Sequence, residues 1–306
     1  MENKKLLATS TEIKFFSILG AILIGLIITT VFWGLKIEQK NISSTKKVLV
    51  TSYERLNLVA KSVYIFDVRT NKVLFSKNSD ERLPLASLTK LMTALTAISI
   101  SNEETPIVIS NLAIKAEGDS GLRVGEKWTL KNLIDFLLTS SSNDGATAVA
   151  LAFGGEKKFV TLMNSKADEL GMKNTYYFNE TGIDESTQSG GAYGTAKDVG
   201  ILFAYILKNY PDLLPATTKA EIKIASLDKI IHTAKNTDLI AENIPGIKGS
   251  KTGFTDLAGG NLVIAFDPEI GRPIIIAVLG STAKERFNDV EKLVEATLVD
   301  IQNSIN

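Results

Sequence analysis

The sequence predicts an α+β domain whose antiparallel sheet is closed by both ends of the chain. Three observations carry this: two short strands early, a helical middle, and three strand-like segments near the C-terminus. Val63–Val68 and Lys72–Ser76 are two short strand-like runs around Arg69-Thr70-Asn71, which reads as a hairpin. Pro84 cannot sit inside a helix but suits the turn before one. From Leu88 onward, Leu91, Leu95 and Ile98 recur at helical spacing among small residues, a buried helix.

The middle continues in helices. Leu130, Leu133, Ile134, Leu137 and Leu138 give one apolar helical face. A turn over Thr139–Gly145 leads into a small-residue helix from Ala146 to Phe153. Phe159, Leu162, Met163 and Leu170 mark the next helix, ended by Gly171 as its cap. Residues 172–193 form a long aperiodic loop, a length that tends to be functional. Thr195 and Asp198 open a helix reaching Tyr210 in the manner of a capping box. Lys251–Thr255, Asn261–Phe266 and Pro273–Leu279 are the late strands, the last two a hairpin across Asp267–Arg272. Phe287, Val290, Val294, Leu298 and Ile301 make a final amphipathic helix.

Composition removes several function classes. The 306 residues are 44% hydrophobic and 22% charged, enough for a real core, and 34 basic residues balance 34 acidic ones, so no nucleic-acid surface is expected. There is no cysteine, hence neither disulfide nor thiolate metal site. The single histidine, His232, makes a Ser-His-Asp triad a weak idea and suits a partly buried structural role. Residues Phe15–Leu35 are 21 consecutive uncharged residues between Lys14 and Lys36. That matches the ~20 residues a membrane span needs. A cleaved signal peptide competes, but the run is long for one and lacks a small-x-small cleavage site. The expected organisation is a tail over 1–14, a signal anchor over 15–35, a spacer over 36–61 and a catalytic domain over 62–306.

The chemistry lies in three short motifs. Ser87 at a helix start has Lys90 one turn on, so an amine can reach a hydroxyl in an apolar wall. A serine needs an adjacent base to attack, and a lysine can be that base when burial or a nearby cation lowers its pKa. Alone the pattern says little: Ser43/Lys46, Ser44/Lys47, Ser226/Lys229 and Ser281/Lys284 repeat it, and a capping serine explains an isolated match. Ser141-Ser142-Asn143 follows on a turn between helices, and Lys251-Thr252-Gly253, unique in the chain, opens a strand. The trio in this order is the strong signal.

With these residues the chain resembles the serine-type D-alanyl-D-alanine carboxypeptidases, the low-molecular-mass penicillin-binding proteins. The resemblance runs from about Ser62 to Ser281 and includes Leu85–Ala94, Leu170–Thr175, Phe178–Ile183 and Gly249–Asp256. It implies a β-lactamase/transpeptidase-like fold, a five-stranded antiparallel sheet flanked by helices with a mainly helical subdomain. It implies that Ser87 forms an acyl-enzyme and Lys90 takes its proton, with Lys251 helping to keep Lys90 neutral. Ser141 relays a proton to the leaving amine, Asn143 holds the substrate amide, and Lys251 and Thr252 bind its terminal carboxylate. Gly253 lets the substrate lie as an added strand, and the backbone N–H groups of Ser87 and Phe254 form the oxyanion hole. The implied substrates are peptidoglycan stem peptides, with β-lactam antibiotics as covalent inhibitors and neither metal nor organic cofactor. The implied location is the bacterial cell membrane, single-pass, with the catalytic domain outside. Better-known members carry an extra C-terminal β-domain and an amphipathic anchor, which places anchoring here at the N-terminus.

Rival functions remain at this point. A serine β-lactamase needs a glutamate that activates water, and neither Glu180 nor Glu185 sits in a Glu-x-x-Leu-Asn pattern. Glu180 and Asp184 read as solvated loop residues. A non-catalytic penicillin-binding sensor has no residue in its favour, and a D,D-endopeptidase would use the same residues on a longer substrate.

Overall fold

The computed structural model describes residues 26, 29–30 and 52–305 and divides the chain into two units, Met1–Val50 and Thr51–Asn306. In the first, Leu26, Thr29 and Thr30 are helical, with both threonine hydroxyls bonded to the Leu26 carbonyl. The rest of the span expected over 15–35 lies outside the described residues. Among those described, no helix is long and apolar enough to cross a membrane.

In chain order the second unit contains β1 (Ser62–Asp67), β2 (Lys72–Lys77), β3 (Leu83–Pro84) and α1 (Thr89–Ile100). Next come β4 (Pro106–Val108), β5 (Lys127–Thr129), α2 (Leu130–Ser140), α3 (Asn143–Ala152) and α4 (Glu156–Glu169). Then follow β6 (Tyr176–Tyr177), β7 (Ala192–Gly194), α5 (Ala196–Asn209), β8 (Glu221–Ala225) and β9 (Ile231–Lys235). The unit ends with β10 (Ile247–Thr255), β11 (Gly259–Phe266), β12 (Ile274–Ser281) and α6 (Glu285–Ile305).

The main sheet has the order β10-β11-β12-β1-β2, with every pair antiparallel. The two ends of the unit meet where Ser62 faces Leu279 and Asp67 faces Ile274. This is the closed α+β sheet the sequence predicts. Alternation sorts its side chains onto two faces. Val63, Ile65, Leu262, Ile264, Phe266, Ile276 and Val278 pack on Phe287, Val290, Leu293 and Val294 of α6. Tyr64, Val263, Ala265, Ile275, Ala277 and Leu279 face the helical layer with Leu91, Leu95, Val199 and Phe203. Burying both faces fixes the register, because a one-residue slip would exchange them.

The helix signals hold. Thr195 caps α5 by accepting from the Asp198 N–H at 3.0 Å, and Gly171, at φ +74°, follows the end of α4. Part of the stretch expected as a spacer packs on the final helix. Tyr53, in a 3-10 turn over Ser52–Arg55, is buried and donates to Thr297 Oγ1 at 3.0 Å, and Asp289 accepts the Val59 and Ala60 N–H groups. His232 sits in β9 against Trp128 and Phe136, 2.7 Å from Glu126, the structural role expected of it.

Candidate active site

The nucleophile stands on a turn fixed from three sides. β3 pairs with β7, and Leu85 N–H continues that pairing to the Ala192 carbonyl. Residues Ala86–Leu88 then form a single 3-10 turn that runs into α1, so Ser87 lies at the helix entrance as the sequence predicts. Ala86 holds a left-handed φ of +49°, a conformation that costs a residue with a Cβ on the order of 1 kcal/mol. Neighbours impose it. Asn261 of β11 is fully buried and donates to both the Pro84 and Leu85 carbonyls, while accepting from Gly280 N–H at 2.8 Å. Gly182 lies so close that a Cβ there would stand 1.9 Å from the Ala86 carbonyl oxygen.

Lys90 is buried one turn beyond Ser87. Its Nζ donates to Ser87 Oγ at 2.9 Å, Asn143 Oδ1 at 2.6 Å and the Thr181 carbonyl at 2.8 Å. Burial pushes its pKa down to about 7, and Glu180 and Asp144 act in the opposite direction. Of the two causes expected, burial is the larger for Lys90, while the repulsion between the two amines lowers Lys251. A lysine with this pKa is neutral in a large fraction of molecules near pH 7, as a general base requires.

The opposite wall comes from the second and third motifs. Ser141 ends α2 in the left-handed conformation, φ +62°, and its Oγ accepts from Lys251 Nζ at 2.9 Å. Lys251 also donates to the Thr252 carbonyl at 2.9 Å. It is buried, and its pKa falls well below the usual lysine range through desolvation, then repulsion from Lys90 and Arg286, with Asp238 opposing. Thr252 Oγ1 lies 2.5 Å from Thr237 Oγ1. The three motifs thus meet as two hydroxyl–amine pairs across one cleft.

The remaining residues come out as follows. Gly253 is required by packing, because a Cβ there would meet the Leu85 carbonyl at 2.8 Å and the Leu88 nitrogen at 3.2 Å. β10 is an edge strand, and Phe254 is half exposed on it. Asn143 is not the cap of α3; Ser142 is, accepting from Gly145 N–H at 2.8 Å. Asn143 Nδ2 donates to the Glu117 carbonyl at 2.7 Å, so both ends of its amide are engaged. A cleft of about 590 Å³ is lined by Ser87, Asn143, Glu117, Ile183 and Phe254 among others.

Two expectations are corrected. Glu180 is not solvated: it is 4% exposed, and Thr147 donates to its Oε1 at 2.5 Å. Asp184 is half-buried and ties the loop to the β10–β11 turn, accepting from Thr255 Oγ1 at 3.0 Å. Sequence reasoning also missed Asn261 and Arg286. Asn261 is a lone amide inside an apolar strand, which is the signal that could have found it. Arg286 Nη1 donates to the Gly253 carbonyl at 2.8 Å from the start of α6.

A family profile described as D-alanyl-D-alanine carboxypeptidase matches residues 48–283. The chain belongs to this family. It is 34% identical over 244 residues to the D-alanyl-D-alanine carboxypeptidase DacF of Bacillus subtilis, covering 77% of this chain and 61% of that protein. It is 35% identical over 244 residues to the D-alanyl-D-alanine endopeptidase of Pseudomonas aeruginosa, covering 77% of this chain and 76% of the relative. Its fold is similar to penicillin-binding protein D2 from Listeria monocytogenes in the ampicillin-bound form, with a TM-score of 0.68 and 29% identity. That superposition covers 79% of this chain and 98% of the Listeria protein. The α+β fold expected from the sequence is therefore that of a penicillin-binding protein. This D-alanyl-D-alanine carboxypeptidase family member spans about three fifths of the Bacillus relative's length.

Proposed function

We propose that the chain is a serine D-alanyl-D-alanine carboxypeptidase acting on peptidoglycan stem peptides. The observation that carries this is the buried Lys90 amine 2.9 Å from Ser87 Oγ, facing the Lys251–Ser141 pair across the cleft. Lys90 takes the proton as Ser87 Oγ attacks the carbonyl between the two D-alanines. The carbonyl oxygen becomes negative and is held by the Ser87 and Phe254 N–H groups. Ser141, bonded to Lys251, delivers a proton to the leaving amine. Water then hydrolyses the ester and frees Ser87. The substrate lies along the free edge of β10 as an added strand, its terminal carboxylate at Lys251 and Thr252. Asn143 Nδ2 takes the substrate amide by exchanging its bond to the Glu117 carbonyl.

A peptide ending in L-Lys-D-Ala-D-Ala is expected to lose one D-alanine, with a rate that climbs as pH rises through about 7, where Lys90 becomes neutral. Chromatographic quantification of free D-alanine checks this. The 35% identity to a named endopeptidase supports a second reading, cleavage of cross-links by the same residues. Release from a cross-linked dimer but none from the peptide would favour that reading. β-lactams acylate Ser87 in either case. We also propose that residues 15–35 anchor the protein in the membrane with the catalytic unit outside. Protease added to intact cells then degrades that unit, and a protected unit would contradict the topology.

A further inference from the structure

Lys90 is buried among groups of both signs. Glu180 comes from the loop after α4, Asp144 from α3 and Lys251 from β10, while Glu117 lines the cleft, Glu156 acts on Glu180, and Arg286 acts on Lys251. The two nearby carboxylates are held differently. Asp144 belongs to the α3 entrance, bonded to Ser142 Oγ, Gly145 N–H and, at 3.3 Å, Ser120 N–H. Glu180 belongs to the base. Its own carbonyl accepts from Thr93 Oγ1 at 2.6 Å, one turn of α1 beyond Lys90. The next carbonyl, Thr181, accepts from Lys90 Nζ itself, and Thr147 of α3 fixes the Glu180 carboxylate. One short segment thus carries both an acceptor for the amine and a buried carboxylate, anchored to the two helices that bear Lys90 and Asn143. A cavity of about 350 Å³ lies against Glu180, Thr181 and Thr147, so the carboxylate is not sealed in apolar packing.

We propose that Glu180 is a positioning residue for the reaction, the counter-charge that stabilises the ammonium formed on Lys90 when Ser87 attacks. This rests on the reading of Lys90 as the base. In the step the Ser87 O–H bond breaks, an N–H bond forms on Nζ, and Oγ bonds the carbonyl carbon, whose π electrons move to its oxygen. A full positive charge then appears on a buried amine, and a carboxylate on the segment that supplies the amine's Thr181 acceptor acts on it through surroundings that screen less than bulk water does. The carboxylate opposes the free base's neutrality and favours its protonated product. Burial of Lys90 supplies the first requirement, and Glu180 limits how far that burial goes.

The test is the second-order rate of Ser87 acylation by a fluorescent penicillin between pH 5.5 and 9, for wild type, Glu180→Gln and Glu180→Asp. Glu180→Gln keeps size and hydrogen bonding but removes the charge. It is expected to move the acid limb about one pH unit lower and to reduce the plateau by about tenfold, because the amine becomes a weaker base. Glu180→Asp keeps the charge and leaves the limb near that of wild type. Glu185→Gln, on the same cavity, leaves limb and plateau unchanged. A merely structural role lowers the rate at every pH and does not move the limb. Where the amide variant does not fold, Glu180→Ser, which admits water beside Thr147, carries the same expectation. A limb that stays in place in a folded charge-free variant overturns the proposal alone. A wild type that is never acylated overturns the reading of the site and this proposal with it.

Discussion

Replacing Lys90 with methionine is expected to slow Ser87 acylation by on the order of 10³-fold while raising stability at neutral pH. The rate loss follows from removing the general base, which contributes about 10²–10⁴ where proton transfer accompanies attack. The stability gain follows from the same burial that makes the base. Moving the amine from its ordinary pKa of 10.5 to about 7 costs roughly 5 kcal/mol at pH 7 and below. The three hydrogen bonds lost with the amine offset this by about 1 kcal/mol each. The gain depends on pH in a definite direction. Below pH 7 the amine is charged in folded and unfolded chains alike, and the full cost stands. Between 7 and 10.5 the unfolded chain binds the extra proton, so the wild type gains stability as pH rises. The advantage of Lys90→Met is therefore largest at pH 7 and shrinks toward pH 10. Urea unfolding of both proteins at the two pH values measures it, and a methionine variant less stable at pH 7 would contradict this balance. Such a trade of stability for activity is common where a site holds an unfavourable group.

Gly182→Ala is expected to have the opposite effect on stability and to abolish acylation as well. The added Cβ would overlap the Ala86 carbonyl oxygen at 1.9 Å and Thr89 Oγ1 at 2.5 Å, and the residue sits at φ +80°. Backbone cannot yield there, because Asn261 holds the neighbouring Pro84 and Leu85 carbonyls. A loss of about 3 kcal/mol or more combines overpacking with left-handed strain. Any relief moves Ser87 away from Lys90, and a shift of about 1 Å costs on the order of 10²-fold in rate. Thermal unfolding and penicillin labelling of the same sample check both parts. A stable variant that labels at the wild-type rate would show that the contact is not confining the nucleophile turn.

Much of this fold was legible because its main sheet is buried on both sides. The apolar runs at Val63–Val68, Asn261–Phe266 and Pro273–Leu279 all became sheet strands, with boundaries moved by one or two residues. β8 and β9 were not legible. Glu221–Ala225 and Ile231–Lys235 do alternate in burial, but they are only five residues each, carry exposed lysines and form a two-stranded hairpin outside the main sheet. β3, β6 and β7 are two or three residues long, so no period could reveal them. The site divides in the same way. Ser87, Lys90, Ser141, Asn143 and Lys251 were readable because local spacing fixes each motif, and the structure brings all five together. Glu180, Asn261 and Arg286 act across separations of about 90 to 180 residues, or through backbone carbonyls that no sequence pattern marks. Gly253 has a second reason that the sequence does not show: its missing side chain also makes room for the nucleophile turn.

Ser87 is the group expected to become acylated. Incubating the catalytic unit with benzylpenicillin, digesting it and locating the adduct by tandem mass spectrometry tests that directly. A penicilloyl mass is expected on the peptide containing Ser87, and none in Ser87→Ala. An adduct on Ser141, or one that persists in Ser87→Ala, would contradict it.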